Sequence, residues 1–189
     1  QSARRLESEV VRDSILAVSN RIVHRMHGPP IPVKEDGVGQ IVLGVEMLDG
    51  ERKPTGKQES FEGLARRSIY VQARRTRPLA VLESFDIATK SPNCTIRSSS
   101  NVATQALMMM NSDFTIHHAR RMADDLVTHS HDLRQQLVIA WRRCFASDPK
   151  ASVLEELEDF IARQAATFTS RDKNLKHDEA RQMALASAC

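Results

Sequence analysis

The sequence is poor in aromatic residues and in cysteine. Aromatic side chains make up 4% of the 189 residues, which predicts a core built from aliphatic side chains and methionine. The three cysteines, Cys94, Cys144 and Cys189, are odd in number and far apart, so they form neither a disulfide framework nor a zinc-binding pattern. Their redox state is left open. Cys144 follows Trp141 at helical spacing, which predicts a buried small apolar side chain.

Long apolar runs and an excess of one charge are also missing. No uninterrupted apolar run reaches ~18 residues, so the sequence predicts no membrane span, and it shows no signal-peptide pattern. Basic residues number 27 and acidic residues 24, which gives a formal net charge of +3. This near balance argues against nucleic-acid binding, which normally uses a clearly positive face. The length fits a single domain over residues 1–189.

Apolar residues at helical spacing are what the sequence does contain. The pattern from Ser2 to Met26 predicts one long helix, capped by Ser2 and ended by the Gly28-Pro29-Pro30 break. Residues 79–85 predict a short helical turn. After residue 101 the helical pattern returns, with a last helix from about residue 178. Starts of the intervening helices are predicted at Ser112 or Asp113, at Asp132, and at the capping box Ser152–Glu155.

The sequence predicts β structure in only one region. Residues 28–66 are rich in glycine, proline and charge, and predict a loop excursion around one apolar island at 41–45. In the following stretch Ile69, Val71 and Ala73 alternate with polar side chains, the period-two pattern of a strand over residues 67–74. The island at 41–45 is its natural antiparallel partner. We therefore predict a mostly α fold, a helical domain with a small two-stranded antiparallel β element.

The sequence contains no recognisable catalytic or metal-binding motif. It has no nucleophile elbow, phosphate loop, zinc-protease motif or haem-attachment motif. Neither the His24/His27 pair nor the later histidines have a helpful carboxylate spacing, so no metal site is predicted. Polar residues inside apolar patterns are more informative, because buried charges need partners. The candidate polar cluster consists of Arg12, Asp13, Arg67, Tyr70, Gln105 and Asn111.

Four ordered motifs give the sequence a family resemblance. They are RLESEVVRDSILAVS at residues 5–19, Gly28-Pro29-Pro30, Arg67-Ser68-Ile69-Tyr70 and Thr104-Gln105-Ala106-Leu107. Together they closely resemble an uncharacterised planctomycete-specific domain. That domain forms the C-terminal part of large proteins that also contain a planctomycete-type cytochrome c domain and a second uncharacterised domain. The sequence departs from the family at Asn20 and His27, where glycine is usual or frequent, and at Ala103, where proline is common.

The resemblance implies a context but no reaction, since the family has no established active residue to transfer. It implies a periplasmic or cell-surface location and a redox protein. Haem c would be bound only by an upstream domain, so no cofactor is expected in this chain. The expected partners are the neighbouring domains of the same polypeptide. Family members typically continue beyond the position of Cys189, so the chain resembles a fragment, truncated at both ends.

Two functional hypotheses follow. The first is a non-catalytic structural and interaction module, in which the polar cluster is a salt-bridge and amide network that pins the strand pair to the helices. The second is a ligand-binding or hydrolytic domain acting on an extracellular polymer, in which the cluster lines a pocket. Paired carboxylates for glycosidic-bond hydrolysis are not evident. Nucleic-acid binding through the arginine stretch is least favoured. We expect Arg67 to be structural, and Arg74, Arg75 and Arg77 to be solvated or paired with helix carboxylates.

Overall fold

The structure of the protein, a computed structural model, describes residues 5–48, 54–59, 63–74, 77–88 and 102–189. The described chain is mostly helical with a small antiparallel β element, which confirms the predicted fold class. None of its helices is both long and apolar enough to cross a bilayer. The helices are α1 (Ser8–Val18), α2 (Ala80–Ser84), α3 (Ala103–Asn111), α4 (Asp113–His129), α5 (Leu133–Phe145), α6 (Ala151–Arg171) and α7 (His177–Ala188). The strands are β1 (Val33–Glu35), β2 (Ile41–Leu43), β3 (Val45–Leu48) and β4 (Pro54–Glu59), followed by a 3₁₀ turn at Ser68–Tyr70.

The chain divides into two compact units. The first comprises Gln1–Leu16 and Arg21–Met109, and the second comprises Ala17–Asn20 and Met110–Cys189. The first unit therefore contains most of α1, the strands, the 3₁₀ turn and α2, while the second contains α4 to α7. The prediction that residues 1–189 form a single domain concerns whether the two units unfold together, and it stays a prediction.

The second unit is a group of four helices with an aliphatic core. α5 packs against α4 and α6, and α7 packs against both α6 and α4. The predicted aliphatic and methionine core is confirmed here, and it consists of Met122, Ala123, Leu126, Leu137, Leu154, Ile161, Ala184 and Leu185. Cys144 is not part of this core. Its residue is exposed, so the prediction of a buried side chain at this position is wrong.

Two of the four helix starts in the second unit have a side-chain cap. The Ser112 hydroxyl accepts a hydrogen bond from the Thr115 amide at 3.1 Å, and the Asp132 carboxylate accepts from two amides at the start of α5. Both predicted caps are confirmed. The predicted capping box at Ser152 is wrong, because α6 already begins at Ala151 and Lys150 occupies the cap position without a side-chain hydrogen bond.

The first helix is shorter than predicted. α1 ends at Val18, and Asn20 follows it with a φ of +55°. The Arg21 amide donates to the Leu16 carbonyl at 2.8 Å, the 6→1 hydrogen bond that closes a helix after a left-handed residue. Asparagine tolerates this conformation better than most side chains. The prediction of a helix running to Met26 is therefore wrong, and its predicted cap, Ser2, lies outside the described residues.

All the strands of the described chain lie within residues 28–66. β1 pairs antiparallel with β2 through Val33↔Leu43, and β3 pairs antiparallel with β4 through Val45↔Glu59. The apolar island at 41–45 therefore pairs with β1, and its predicted pairing with residues 67–74 is wrong.

The predicted strand at residues 67–74 is instead a 3₁₀ turn with an extended flank. Ile69, predicted to face inward, is 77% exposed, whereas Ser68, predicted to face outward, is 4% exposed. The cause is a polar contact: the Asp13 carboxylate accepts hydrogen bonds from both the Ser68 amide and its hydroxyl. Two isolated parallel bridges, Val23↔Arg66 and Ile31↔Val71, flank the turn.

α3 has an unusual distribution of side chains. Its neighbour Val102 and its own Leu107 and Met110 are 45%, 57% and 74% exposed, while the polar Gln105 is 7% exposed. These apolar side chains therefore lie on the exposed side of the helix.

Candidate functional site

Arg12 is the most buried charged side chain of the first unit. Its side chain projects from α1 and is 0% exposed. One terminal nitrogen donates to the Arg66 carbonyl at 3.0 Å and to the Ser68 hydroxyl at 3.1 Å, and the other donates to the Leu64 carbonyl at 2.8 Å. These bonds replace the water that the guanidinium loses on burial. Arg12 therefore fixes the main chain just before and at the 3₁₀ turn.

Asp13 complements Arg12 from the next position of the helix. Its Oδ1 accepts from the Ser68 amide at 2.7 Å and from the Ser68 hydroxyl at 2.6 Å, and it lies 3.6 Å from the Arg12 guanidinium. Its Oδ2 lies 3.5 Å from the Nε of Arg67. Ser68 thus donates to Asp13 and accepts from Arg12, which joins one acidic and one basic side chain through a single hydroxyl.

Arg66 forms a second clamp on a different stretch of main chain. It is 3% exposed. Its three nitrogens donate to the carbonyls of Arg25 at 3.3 Å, His27 at 2.7 Å and Pro29 at 2.9 Å. Together these bonds fix residues 25–29, which contain the left-handed residue His27 and the first two residues of the Gly-Pro-Pro break.

Tyr70 covers the Arg66 guanidinium. The guanidinium carbon lies 3.9 Å from the centre of the Tyr70 ring, within the range of a cation–π contact. The Tyr70 hydroxyl accepts a hydrogen bond from the His27 amide at 3.2 Å. Both partners of this contact therefore hold the same turn. We call Arg12, Asp13, Arg66, Ser68 and Tyr70 the arginine clamp.

The electrostatics of the clamp indicate a structural role for Arg12. Burial lowers the pKa of Arg12 to about 10, and the nearby Asp13 carboxylate partly offsets this effect. The group is still charged at neutral pH. A permanent cation that donates to backbone carbonyls supplies no proton transfer, so the arrangement organises the chain around it.

A cleft of about 480 Å³ lies beside the clamp, and Asp13, Ser68 and Arg67 belong to its lining. α1 also contributes Glu7, Glu9 and Val10 to it, and the extended segment after the 3₁₀ turn contributes Arg74. Residues 78–88 supply a mainly apolar part of the lining. Both signs of charge and an apolar surface therefore meet in one cleft of the first unit.

The structure brings only part of the predicted polar cluster together. Arg12, Asp13 and Arg67 are linked through the Asp13 carboxylate, and Tyr70 joins them through Arg66. Gln105 is buried in α3 and does not line the cleft, whereas Asn111 is exposed at the end of α3 and belongs to the second unit. Arg67, expected to be structural, has a side chain that is 61% exposed.

The other arginines of the stretch behave differently from one another. Arg77 pairs with Glu35 of β1, so its carboxylate partner comes from a strand rather than a helix. This contact raises the pKa of Arg77 and lowers that of Glu35. Arg74 lines the cleft, and Arg75 lies outside the described residues.

Sequence reasoning missed Arg66 and Ser68, which are the central members of the clamp. Period-two alternation placed Ser68 on the outer face, because it treated the stretch as a strand. The sequence signal that could have found them is the nearby glycine, Gly63, because glycine favours a turn. Gly63 has a φ of +105°, and a Cβ there would lie 3.0 Å from Cδ of the Arg66 side chain.

No metal centre is found in the described ranges. No group of three or more histidine, cysteine, aspartate or glutamate side chains is placed to bind an ion. The buried His118 is held by other means: its Nδ1 lies 3.1 Å from the Ser19 hydroxyl, and its ring packs edge-on against Phe114.

The fold and the clamp define a helical module whose β-containing unit is organised by buried arginines. The chain belongs to the PSD1 family, described as "Protein of unknown function (DUF1553)", whose family model matches residues 1–161. The prediction of an uncharacterised domain is confirmed. No curated protein and no solved structure matches the chain significantly.

Proposed function

We propose that the chain is a non-catalytic structural and interaction module of a large extracytoplasmic protein of the cytochrome c type. The supporting observation is the arginine clamp. The buried guanidinium groups of Arg12 and Arg66 donate to backbone carbonyls, so the most strongly desolvated charges of the first unit stabilise main-chain geometry. Two of the four motifs that give the family resemblance contribute residues to this clamp, and a third is bound by it, since Arg66 donates to the Pro29 carbonyl.

The context rests on the resemblance to the planctomycete-specific domain. It supports a periplasmic or cell-surface location, neighbouring domains of the same polypeptide as partners, and haem c in an upstream domain only. α3 supplies a surface suited to such a partner, because Leu107 and Met110 expose apolar side chains. Adjacent exposed apolar residues are typical of interaction surfaces.

A ligand-binding or hydrolytic domain acting on an extracellular polymer is the second candidate, and the cleft favours it. Hydrolysis of a glycosidic bond needs one carboxyl group to donate a proton and another to attack or to activate water. Asp13 is poorly suited to either task, because its Oδ1 accepts two hydrogen bonds from Ser68 and its Oδ2 faces Arg67. Binding without hydrolysis is therefore the stronger form of this candidate.

The test compares the full-length protein that contains this chain with a version lacking residues 1–189. We expect the haem spectrum to persist and the neighbouring domain to unfold at a lower temperature without the module. The separately produced chain should bind that neighbouring domain in calorimetry. Polymer hydrolysis by the purified chain, lost in a folded Asp13→Asn variant, would overturn the proposal in favour of an enzyme.

A further inference from the structure

The cleft beside the arginine clamp is large enough for an organic ligand. Its volume of about 480 Å³ falls within the range of roughly 300–1,000 Å³ that is typical of small-molecule sites. All of its lining residues belong to the first unit. The chemistry of a ligand therefore follows from two properties of this lining: which of its charges are already paired, and which part of it is apolar.

The Asp13 carboxylate of the lining is neutralised within the protein. Its Oδ1 accepts two hydrogen bonds from Ser68 and lies 3.6 Å from the Arg12 guanidinium. Its Oδ2 lies 3.5 Å from the Nε of Arg67. Two guanidinium groups therefore flank a single carboxylate, and this part of the cleft has an excess of positive charge.

The other two carboxylates of the lining, Glu7 and Glu9, also take part in interactions within the chain. The Ser8 hydroxyl, for example, donates a hydrogen bond of 2.9 Å to Glu9. Neither carboxylate is therefore a group for a ligand to bind. Their negative charges still act on an anion in the cleft, and they repel a dianion about twice as strongly as a monoanion. The lining therefore favours a singly charged head group, such as a carboxylate, over a phosphate ester.

Arg67 and Arg74 supply the charge that is available in the cleft. The Arg67 side chain is 61% exposed and faces Asp13 through its Nε, so its terminal nitrogens can reach a ligand. Arg74 is half-buried and makes no hydrogen bond or ion pair with the part of the chain that the structure describes. A guanidinium group binds a carboxylate through two parallel, charge-assisted hydrogen bonds. The available groups of the cleft therefore fit a carboxylate.

The apolar part of the lining is aliphatic. Leu79 and Leu82 are buried in it, whereas Val10 and Ile69 are 43% and 77% exposed. The exposure of Ile69 follows from the inward turn of Ser68, which points the next side chain outward. None of the described residues that line the cleft is aromatic, so this lining offers a sugar or a nucleobase no stacking surface. An aliphatic chain is the apolar group that it fits.

These observations specify a ligand with one carboxylate and an aliphatic chain. We propose that the cleft beside the arginine clamp binds an aliphatic monocarboxylate, the chemical class of a free fatty acid. Its carboxylate would be bound by Arg67 and Arg74, and its chain would lie against Val10, Ile69 and Leu79. Such binding would be a second property of the module, independent of its packing against neighbouring domains.

The direct test is isothermal titration of the full 189-residue chain with octanoate. A ligand of this size at ordinary binding efficiency gives a dissociation constant of about 0.5 mM. Two matched ligands separate the contributions: octan-1-ol keeps the chain but lacks the carboxylate, and butyrate keeps the carboxylate but has a shorter chain. Each should bind about tenfold more weakly.

Three variants locate the site. Arg74→Gln should weaken binding of octanoate about tenfold and leave binding of octan-1-ol unchanged, because the lost contact is to the carboxylate. The unchanged binding of octan-1-ol would also show that the cleft still forms in this variant. Ile69→Ser should weaken binding of both ligands about threefold, because it removes apolar surface. Arg163→Gln, on the exposed face of α6, is the matched control and should bind octanoate normally.

Three results would overturn the proposal. The first is the absence of binding at about 10 mM octanoate, on the order of twenty times the expected dissociation constant. The second is binding of octan-1-ol as tight as that of octanoate, which would remove the role of the two arginines. The third is an equal effect of Arg74→Gln and Arg163→Gln, which would place the binding outside this cleft.

Discussion

Arg12 donates a hydrogen bond of 3.0 Å to the backbone carbonyl of Arg66. One buried arginine therefore holds the main chain from which the second reaches out to the carbonyls of residues 25, 27 and 29. Arg12 therefore helps to position Arg66, so loss of the Arg12 side chain should also weaken the hydrogen bonds of Arg66. This relationship makes the clamp a cooperative element, and its parts can be tested separately.

Replacement of Arg12 by methionine should strongly destabilise the protein. The Arg66 and Leu64 carbonyls would lose their donor, and the Asp13 carboxylate would lose its nearest buried cation. We expect a loss of about 3 kcal/mol in the free energy of unfolding, measured by urea denaturation followed by circular dichroism.

The matched control for this variant is Arg67→Met, because Arg67 contacts the same Asp13 carboxylate. Arg67 is mostly exposed and lies 3.5 Å from Asp13, so its removal should change the free energy of unfolding by less than about 1 kcal/mol. Equal effects of the two substitutions would contradict the assignment of Arg12, rather than Arg67, as the structural arginine.

Two substitutions at Tyr70 should separate the contribution of its hydroxyl group to stability from the contribution of its ring. Tyr70→Phe removes only the acceptor of the His27 amide and should cost about 0.5–1 kcal/mol. Tyr70→Leu also removes the ring over Arg66, and should cost about 0.5–1 kcal/mol more. Urea denaturation of both variants provides the measurement. A phenylalanine variant as unstable as the leucine variant would show that the stacking contact contributes nothing.

Glycine at position 27 should stabilise the protein. His27 has a φ of +62°, a conformation in which the Cβ of an L-residue crowds the backbone but which costs glycine no steric energy. Its hydrogen bonds to Tyr70 and Arg66 use only backbone atoms and would persist. Glycine also loses more backbone entropy on folding, which offsets part of this effect. We expect a net gain of about 0.5–1 kcal/mol in the free energy of unfolding, measured by thermal unfolding.

Asn20 offers the control for this gain, because its φ of +55° is nearly the same. Asparagine already tolerates the left-handed region, so Asn20→Gly should be nearly neutral. Asn20→Val should lower stability by about 1–2 kcal/mol. A stabilising effect of Asn20→Gly larger than that of His27→Gly would contradict the explanation by backbone strain.

The thiols of the second unit should react slowly. Burial raises the pKa of the Cys144 thiol, and burial together with the nearby Cys144 raises the pKa of Cys189 to about 12, with Arg143 opposing both shifts. The residues themselves have exposed surface, so the thiolate fraction should limit the rate. Relative to an ordinary cysteine of pKa 9.0, alkylation of Cys189 at pH 8 should be about a thousandfold slower.

This measurement uses iodoacetamide in a Cys94→Ser background, with the urea-unfolded chain as the reference.

The raised folded-state pKa of Cys189 also determines how the stability of the protein depends on pH. Above pH 9 the unfolded chain releases the thiol proton first, so the contribution of the thiol to the free energy of unfolding should fall as pH rises from about 9 towards 12. A Cys144→Ser, Cys189→Ser variant should lose this slope. Equal alkylation rates in the folded and unfolded chain would contradict the assigned shifts.

The second unit could be predicted well from sequence because its signals are local. The caps at Ser112 and Asp132 bond to amides within three residues, and aliphatic residues at helical spacing form the core. The exception is α6, whose cap position is Lys150, two residues before the expected cap at Ser152. Such an offset is within the ordinary uncertainty of helix ends.

The first unit could not be predicted in the same way, because distant polar contacts decide its local structure. A β-branched alternation at 69–73 favours a strand, but the Asp13 carboxylate, 55 residues away from Ser68 in sequence, turns the chain into a 3₁₀ helix. Likewise, the buried stripe of α1 includes Ser8, Arg12 and Leu16 rather than an all-apolar set. Periodicity reports apolar burial and gives no information on a buried arginine with carbonyl partners.

The sequence separation within the clamp also sets an order of events during synthesis. Arg12 and its partner Ser68 are 56 residues apart, so at typical translation rates α1 waits about 3–11 s on the ribosome before the clamp can close. During that interval the Arg12 side chain has none of these partners, and the entropy of closing so long a loop opposes the contact. In the second unit, α4, α5 and α6 pack against their neighbours in sequence and have no such delay. The contact between α7 and α4 does have one, because Gln182 and Asp124 are 58 residues apart. The first three helices of the second unit can therefore assemble through local contacts, whereas both the α4–α7 contact and the clamp of the first unit wait for the growth of the chain.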